Sequence, residues 1–214
     1  SEMCGNGVRV FARYLIDEGL ANGPEIPVAT RAGLKHVTLL HDGQVQVDMG
    51  RVIVTTAPTT VTLGGVPGPA TKVDVGNPHA VTFVDDVAPL DLTSGPEFDP
   101  EVFPEGVNVE FVQVIGPGHV RMRVFERGVG ETRSCGTGTV AVAAAARRAL
   151  GGDDWRVDVP GGTVFISLEP EQDGGPGVLG SGGAAAQDEV IPRALMTGPA
   201  VVQLRGDVQV PAPR

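Results

Sequence analysis

Aromatic side chains are scarce in this chain: Phe, Trp and Tyr make up 4% of its 214 residues. Any core must therefore be assembled mainly from Val, Ala and Leu. Lysine is scarcer still. Lys35 and Lys72 are the only two, and neither has a recognisable cofactor-anchoring context, which speaks against a pyridoxal phosphate Schiff base. Positive charge is also short, with 16 Lys+Arg against 26 Asp+Glu and a formal net charge of −10. That balance, with no basic stripe, argues against nucleic acid as a partner. No apolar run approaches the length of a membrane span and no signal peptide is visible, so no membrane partner is expected. There are only two cysteines, Cys4 and Cys135. Two thiolates are too few for a structural zinc site and no Cys-x-x-Cys motif exists, so no metal is expected.

What is present is organised around those two cysteines. Met3-Cys4-Gly5-Asn6-Gly7 opens the chain, and Ser134-Cys135-Gly136-Thr137-Gly138 repeats its pattern 131 residues later. Each is a Cys-Gly-x-Gly loop that runs into a helix pattern. After Cys4, apolar residues at Val8, Phe11, Ala12, Leu15 and Ile16 mark one helical face, and Gly19 is a stop signal. After Cys135, the run from Thr139 to Leu150 is alanine-rich and apolar almost all round, which predicts a buried helix. Arg147 and Arg148 occupy its last turn and Gly151-Gly152 ends it. A thiol at a helix N-terminus sits where the macrodipole and free N–H groups favour the thiolate. The same N–H groups can hold a carboxylate, and glycine lets it approach closely. Two cysteines are otherwise most often buried hydrophobes or one disulfide, but neither explains a shared loop and a shared helix. The P-loop lysine is missing from both loops. The repetition points to paired catalytic thiols facing one small acidic substrate.

Most of the remaining chain reads as strand: Lys35–Leu40, Gln44–Met49, Val61–Leu63, Thr71–Val75, Ala80–Val84, Asn108–Val114, His119–Phe125, Trp155–Val159, Gly162–Leu168 and Val201–Arg205. Strands wrapped around a helix, done twice, predict an α+β fold with the site in the cleft between the halves. Residues from about Gln172 to Gln187, rich in Gly and Ala without a period, read as a surface insertion.

Four further motifs stand in order: Gly76-Asn77-Pro78-His79, Asn108-Val109-Glu110-Phe111, Glu126-Arg127-Gly128-Val129-Gly130-Glu131-Thr132, and Met196-Thr197-Gly198-Pro199-Ala200. With the cysteine loops, this series resembles the diaminopimelate epimerase family, a cofactor-independent group of bacterial lysine and peptidoglycan precursor synthesis. The resemblance runs along nearly the whole chain. It implies two pseudo-symmetric domains, each a mainly antiparallel sheet around a central helix: residues 1–48, then 49–193, with 194–214 returning to the first. It implies PLP-independent epimerisation of LL-diaminopimelate to the meso form, with Cys4 and Cys135 exchanging roles as acid and base. Backbone groups of Gly5, Asn6, Gly136 and Thr137 would hold the α-carboxylate. Asn77 and Asn108 would bind the distal end of the substrate, and Arg127 its distal carboxylate. Glu126 would bind an ammonium group and influence the thiols, and His79 would share in that proton balance. Taken without the resemblance, Asn77 reads as a turn residue, Glu126-Arg127 as an exposed pair and His79 as a satisfied imidazole.

Family members carry several strands ahead of the first cysteine motif, so a first domain lacking them is expected to expose a sheet edge and part of its apolar helix. Its pocket is then expected to be incompletely closed. Reactive thiols call for a reducing compartment, which makes the cytoplasm the expected location. The expected partner is a small-molecule substrate, and family members suggest a homodimer. Three alternatives stay open. One is a proline or hydroxyproline racemase, although that group usually has His at the position of Asn6 and lacks the Glu126-Arg127 pair. The others are a non-catalytic amino-acid-binding relative or inactive fragment, and a redox sensor forming a Cys4–Cys135 disulfide.

Overall fold

A computed structural model describes residues 4–170, 187–203 and 206. Two helices, α1 (Gly5–Asp17) and α2 (Gly136–Leu150), stand among twelve strands in those residues. The strands are β1 (Glu25–Thr30), β2 (Gly33–Leu39), β3 (Val45–Leu63), β4 (Val66–Asp74), β5 (Pro78–Phe83), β6 (Glu97–Phe98), β7 (Asn108–Gly116), β8 (His119–Glu126), β9 (Gly130–Thr132), β10 (Asp154–Val159), β11 (Gly162–Glu169) and β12 (Glu189–Gly198).

Eight of the strands close on themselves in the order β3-β12-β11-β10-β8-β7-β5-β4, with β4 returning to β3. Closure removes the free edges that an open sheet would present. The barrel is mixed: β5 lies parallel to β7 and β8 parallel to β10, while its other pairings are antiparallel. Helix α2 connects β8 to β10 and touches all eight barrel strands, so it lies at the barrel's centre. Its sequence explains why it fits there. Every residue from Gly136 to Ala146 is buried, and an Ala-rich cylinder is narrow enough for strands to pack on all sides while keeping high helix propensity. The shell around it is built from valines such as Val47, Val52, Val54, Val73, Val112, Val120 and Val157, all fully buried. Trp155 is the large exception, buried with its indole N–H donating to Gly152 O at 3.1 Å.

Helix α1 packs against β1, β2 and β3 and meets α2. Val8 and Ala12 are buried, and Leu15 and Ile16 pack on the core. Phe11, assigned to the same face by its spacing, is instead 48% exposed, alongside Val10 and Tyr14. The described elements reach only one side of this helix.

The 19-residue β3 is the largest departure from the strand reading, which divided it into Gln44–Met49 and Val61–Leu63. Near its start, Val45–Val47 pairs with β2; further on, Ile53–Leu63 takes β4 as partner instead. The join carries a register shift between Val54 and Pro58, as expected where proline interrupts a ladder. Strand β3 therefore serves both the α1 sheet and the barrel, crossing position 48/49 without a break. The first three residues of the Met196 motif, placed before the last strand by its sequence, end β12, which runs through 193/194 and pairs with both β3 and β11. The strand expected over Val201–Arg205 is not formed over residues 201–203, and 204–205 lie outside the described residues. The ladder ends at Gly198 because Pro199 has no N–H to continue it. The expected insertion likewise falls outside the described residues except for Gln187. No helix among the described residues is long and apolar enough to cross a membrane.

Candidate active site

Both cysteines occupy the N-cap of their helix with extended backbone, Cys4 for α1 and Cys135 for α2. Cys4 is exposed and its Sγ accepts from the Gly7 N–H at 3.4 Å. Cys135 is buried, with Sγ 3.5 Å from Thr137 Oγ1. Both thiols are free. The two helix starts meet through glycine: a methyl group added at Gly136 would lie 3.1 Å from both Cα and N of Gly5. The approach needs glycine at 136, whereas a methyl group at Gly5 would instead meet the side chains of Met196 and Met49; it brings two helix starts, each with unpaired N–H groups, side by side.

A second link ties the loops together. Asn6 Nδ2 donates to Ser134 Oγ at 3.0 Å and to Ser134 O at 3.4 Å, while its Oδ1 accepts from Arg9 at 3.1 Å. The Asn6 side chain is thus used to hold the residue before Cys135. Arg9 itself is buried, and burial pulls its guanidinium below the ordinary value while negative charge on Cys4 acts the other way.

A cleft of about 290 Å³ opens between the cysteines, lined by Cys4, Asn77, Asn108, Glu126, Arg127, Val129, Ser134, Cys135, Gly136 and Thr137. Of the residues singled out from the sequence, His79, Gly5 and Asn6 are not on its wall. Each lies directly behind a residue that is. Asn108, at the start of β7, accepts the Arg127 N–H at 2.9 Å and reaches Pro78 O at 3.5 Å, joining two turns of the rim. The Arg127 side chain donates to Glu105 O at 3.2 Å and packs on Gly106. Glu126 accepts from the Thr132 hydroxyl. A smaller cavity of about 120 Å³ shares Asn77 and Thr137 with the cleft and has Lys35 and Arg51 on its wall.

Behind Asn77 lies a buried His–Glu pair. His79 Nδ1 and Glu110 Oε1 are 2.7 Å apart and both side chains are fully buried. His79 Nε2 meets Asn77 Oδ1 at 3.2 Å, and Asn77 Nδ2 donates to Thr137 at 3.3 Å. Glu110 is the residue that sequence reasoning passed over. It stands within Asn-Val-Glu-Phe, and a single carboxylate inside a strand segment that is wholly buried over Asn108–Val112 is the signal that marks it.

The electrostatics modify one expectation. Helix position alone favoured a thiolate at Cys135, yet its thiol is pushed up to about 12. Burial is the main cause and the Glu110 charge the next, both exceeding the help from Thr137 and Gly138. At neutral pH Cys135 is therefore protonated and suited to giving a proton. No group of three or more His, Cys, Asp or Glu arranged to hold a metal is found among the described residues.

The family described as Diaminopimelate epimerase matches this chain over residues 1–55 and 71–185. A diaminopimelate epimerase of Streptomyces coelicolor is 47% identical over 217 residues, covering 97% of this chain and 68% of the relative. One from Thermobifida fusca is 44% identical, covering all of this chain and 70% of its own length. One from Rhodococcus opacus is 48% identical, with coverage of 97% and 68%. The chain thus spans about two thirds of these relatives. Among solved structures, a hydroxyproline epimerase from Agrobacterium vitis aligns with a TM-score of 0.63 at 18% identity, over 92% of this chain and 65% of that one. A Bacillus anthracis protein of the PhzF family aligns with a TM-score of 0.56 at 16% identity, over 93% and 73%. At such identities the likeness is one of fold.

Proposed function

We infer the chemistry of the cleft from the premise that this chain belongs to the diaminopimelate epimerase family: it is an isomerase that inverts an α-carbon of diaminopimelate, and Cys4 and Cys135 carry the two proton transfers. The observation that supports this most is the meeting of the two cysteine-capped helix starts at Gly5 and Gly136, with both thiols on one cleft. In one direction Cys4, as thiolate, removes the α-proton. Cys135, held as a thiol by burial, returns a proton to the opposite face. The reverse reaction exchanges the roles. The carbanion that forms between them has its charge drawn into the α-carboxylate. That group is held by the N–H groups at the starts of α1 and α2, at Gly5, Asn6, Gly136 and Thr137, where the helix dipoles favour negative charge.

Recognition of the distal end falls to the rim. Arg127 pairs with the distal carboxylate, Asn77 and Asn108 bond the distal amino-acid group, and Glu126 takes an ammonium. His79 acts from behind Asn77. The two Cys-Gly-x-Gly units, one feeding the helix beside β1–β3 and the other the helix inside the barrel, make the halves pseudo-symmetric partners around the substrate.

The test is incubation of the reduced chain with LL-diaminopimelate in heavy water, following deuterium at the α-carbon and formation of the meso isomer. Both are expected together, and Cys4→Ala or Cys135→Ala should each abolish isomerisation. Isomerisation at the unsubstituted rate by either variant would overturn the two-thiol reading.

A further inference from the structure

Glu110 takes no part in the roles above, yet its surroundings are unusually specific. Its Oε1 faces His79 Nδ1 at 2.7 Å, while its Oε2 is buried with no partner. Oε1 also lies 2.7 Å from where a Gly138 methyl would stand, so the carboxyl is pressed against the first turn of α2 beside Cys135. A fully ionised carboxylate with one bare oxygen is a costly thing to bury. A carboxyl sharing a proton with the imidazole is much less so, and burial does push Glu110 upward, with His79 opposing.

The shared proton fixes the direction of every bond beyond it. Whether the carboxyl donates to Nδ1 or the ring is an imidazolium, Nε2 carries a hydrogen; a neutral ring donating from Nδ1 would instead leave two acceptors, Nε2 and Asn77 Oδ1, facing each other at 3.2 Å. That hydrogen faces Asn77 Oδ1, which can only accept. The Asn77 amide is thereby oriented with its NH2 donating to Thr137 Oγ1. With that lone pair engaged, the Thr137 proton is directed to the remaining neighbour, Cys135 Sγ at 3.5 Å.

We propose that Glu110 is a positioning residue for Cys135: it keeps the His79 proton on Nε2 and so polarises a hydrogen-bond chain through Asn77 and Thr137 that ends in a donor on the sulfur. The proposal rests on the reading of Cys135 as an acid–base group. With the proton shared between carboxyl and ring, the pair presents no net negative charge to Cys135, whose thiol a bare Glu110 carboxylate would hold up, and the chain ends in a hydrogen bond available to the sulfur when Cys135 serves as base. The titratable groups around Cys135 are Cys4 from α1, His79 from β5, Glu110 from β7, and Glu126 and Arg127 at the end of β8. Only the Glu110–His79 pair is joined to it by a continuous chain of side chains. The same bonds hold the Asn77 amide on the wall of the cleft, where substrate meets it.

The test uses iodoacetamide on Cys135 in the Cys4→Ala chain at pH 9, with thermal melting as the check on folding. Glu110→Gln can still donate to Nδ1 and should react within about threefold of the parent. Glu110→Met fills the space without a donor and should react about tenfold more slowly, the loss of one hydrogen bond to a charged sulfur. Equal or faster reaction of a folded Glu110→Met would overturn the proposal, as would Glu110→Gln falling as far as Glu110→Met. If Glu110→Met does not fold, the nitrogen NMR spectrum of the His79 ring in the parent decides: a hydrogen on Nε2 supports the chain, and a bare Nε2 refutes it. Neither measurement depends on turnover, so a failure here is distinct from a failure of the epimerase assay.

Discussion

Gly136→Ala is a substitution for which local and tertiary physics point in opposite directions. Alanine is favoured over glycine inside a helix by about 1 kcal/mol, so propensity alone predicts a more stable chain. The new methyl group would lie 3.1 Å from Gly5 Cα and N, and these are backbone atoms that cannot rotate away. Restoring an ordinary carbon contact of about 3.5–4.0 Å requires the two helix starts to separate by roughly half an ångström. Overpacking of this kind costs about 1–3 kcal/mol, leaving a net loss of about 0–2 kcal/mol and a fall in Tm of a few degrees. Activity should suffer far more. On the two-thiol reading both sulfurs reach opposite faces of one carbon, and a misplacement near 1 Å costs about 100-fold. Half of that should lower kcat by about tenfold. The assay is the initial rate of meso isomer formation beside a thermal melt, with Gly116→Ala, where nothing lies within 4 Å, as the control. A folded Gly136→Ala chain with unchanged kcat would refute the idea that contact of the two glycines sets the spacing of the thiols.

The difference between the cysteines should be visible without substrate. With Cys135 near 12, its thiolate fraction at pH 8 is about 10⁻⁴, and it is buried while Cys4 is exposed, so mass spectrometry should find iodoacetamide on Cys4 well before Cys135. Equal labelling would contradict the burial argument. Asp158 gives a pH effect of the opposite sign. Burial alone would raise its carboxyl, but bonds from His119, Thr163 and Arg156 outweigh it and bring it to about 2. Its contribution is therefore present above the unfolded value near 4 and is lost as pH falls through about 2. Asp158→Asn should lower stability by about 1 kcal/mol at pH 6, allowing for solvent screening. The difference from the parent should close by about pH 2 in denaturant melts, and a difference that persists there would point to packing instead.

The parts of this protein that could be read from its sequence are those whose cause is local. A Cys-Gly-x-Gly loop, an alanine run and a Gly151 at φ 79° each announce a helix start, a buried helix or its end within a few residues. The cysteine site was legible for that reason, as were most strand centres. Features that depend on which distant segments pair were not. Strand β3 looked like two strands because the Thr55–Thr60 stretch has no clean alternation, and only its change of partner from β2 to β4 explains its length. The Val201 stretch looked like a strand because it is apolar, but residues 201–203 pair with no strand among the described residues. Glu110 shows the same division at the site. Parallel pairing of β5 with β7 sets His79 opposite Asn108 and Val81 opposite Glu110. Two residues along a strand return to the same face, so His79 and Glu110 share a face of the barrel wall. A register shift of one residue would turn the carboxylate to the other face and leave the imidazole unpaired. The two cysteines at the cleft are thus specified by short motifs, whereas the buried His79–Glu110 pair proposed to tune Cys135 is specified by closure of the barrel. Closing the barrel around α2 and tuning Cys135 are on this view one event. Substitutions that loosen the β5–β7 pairing should therefore change thiol chemistry before they unfold the chain.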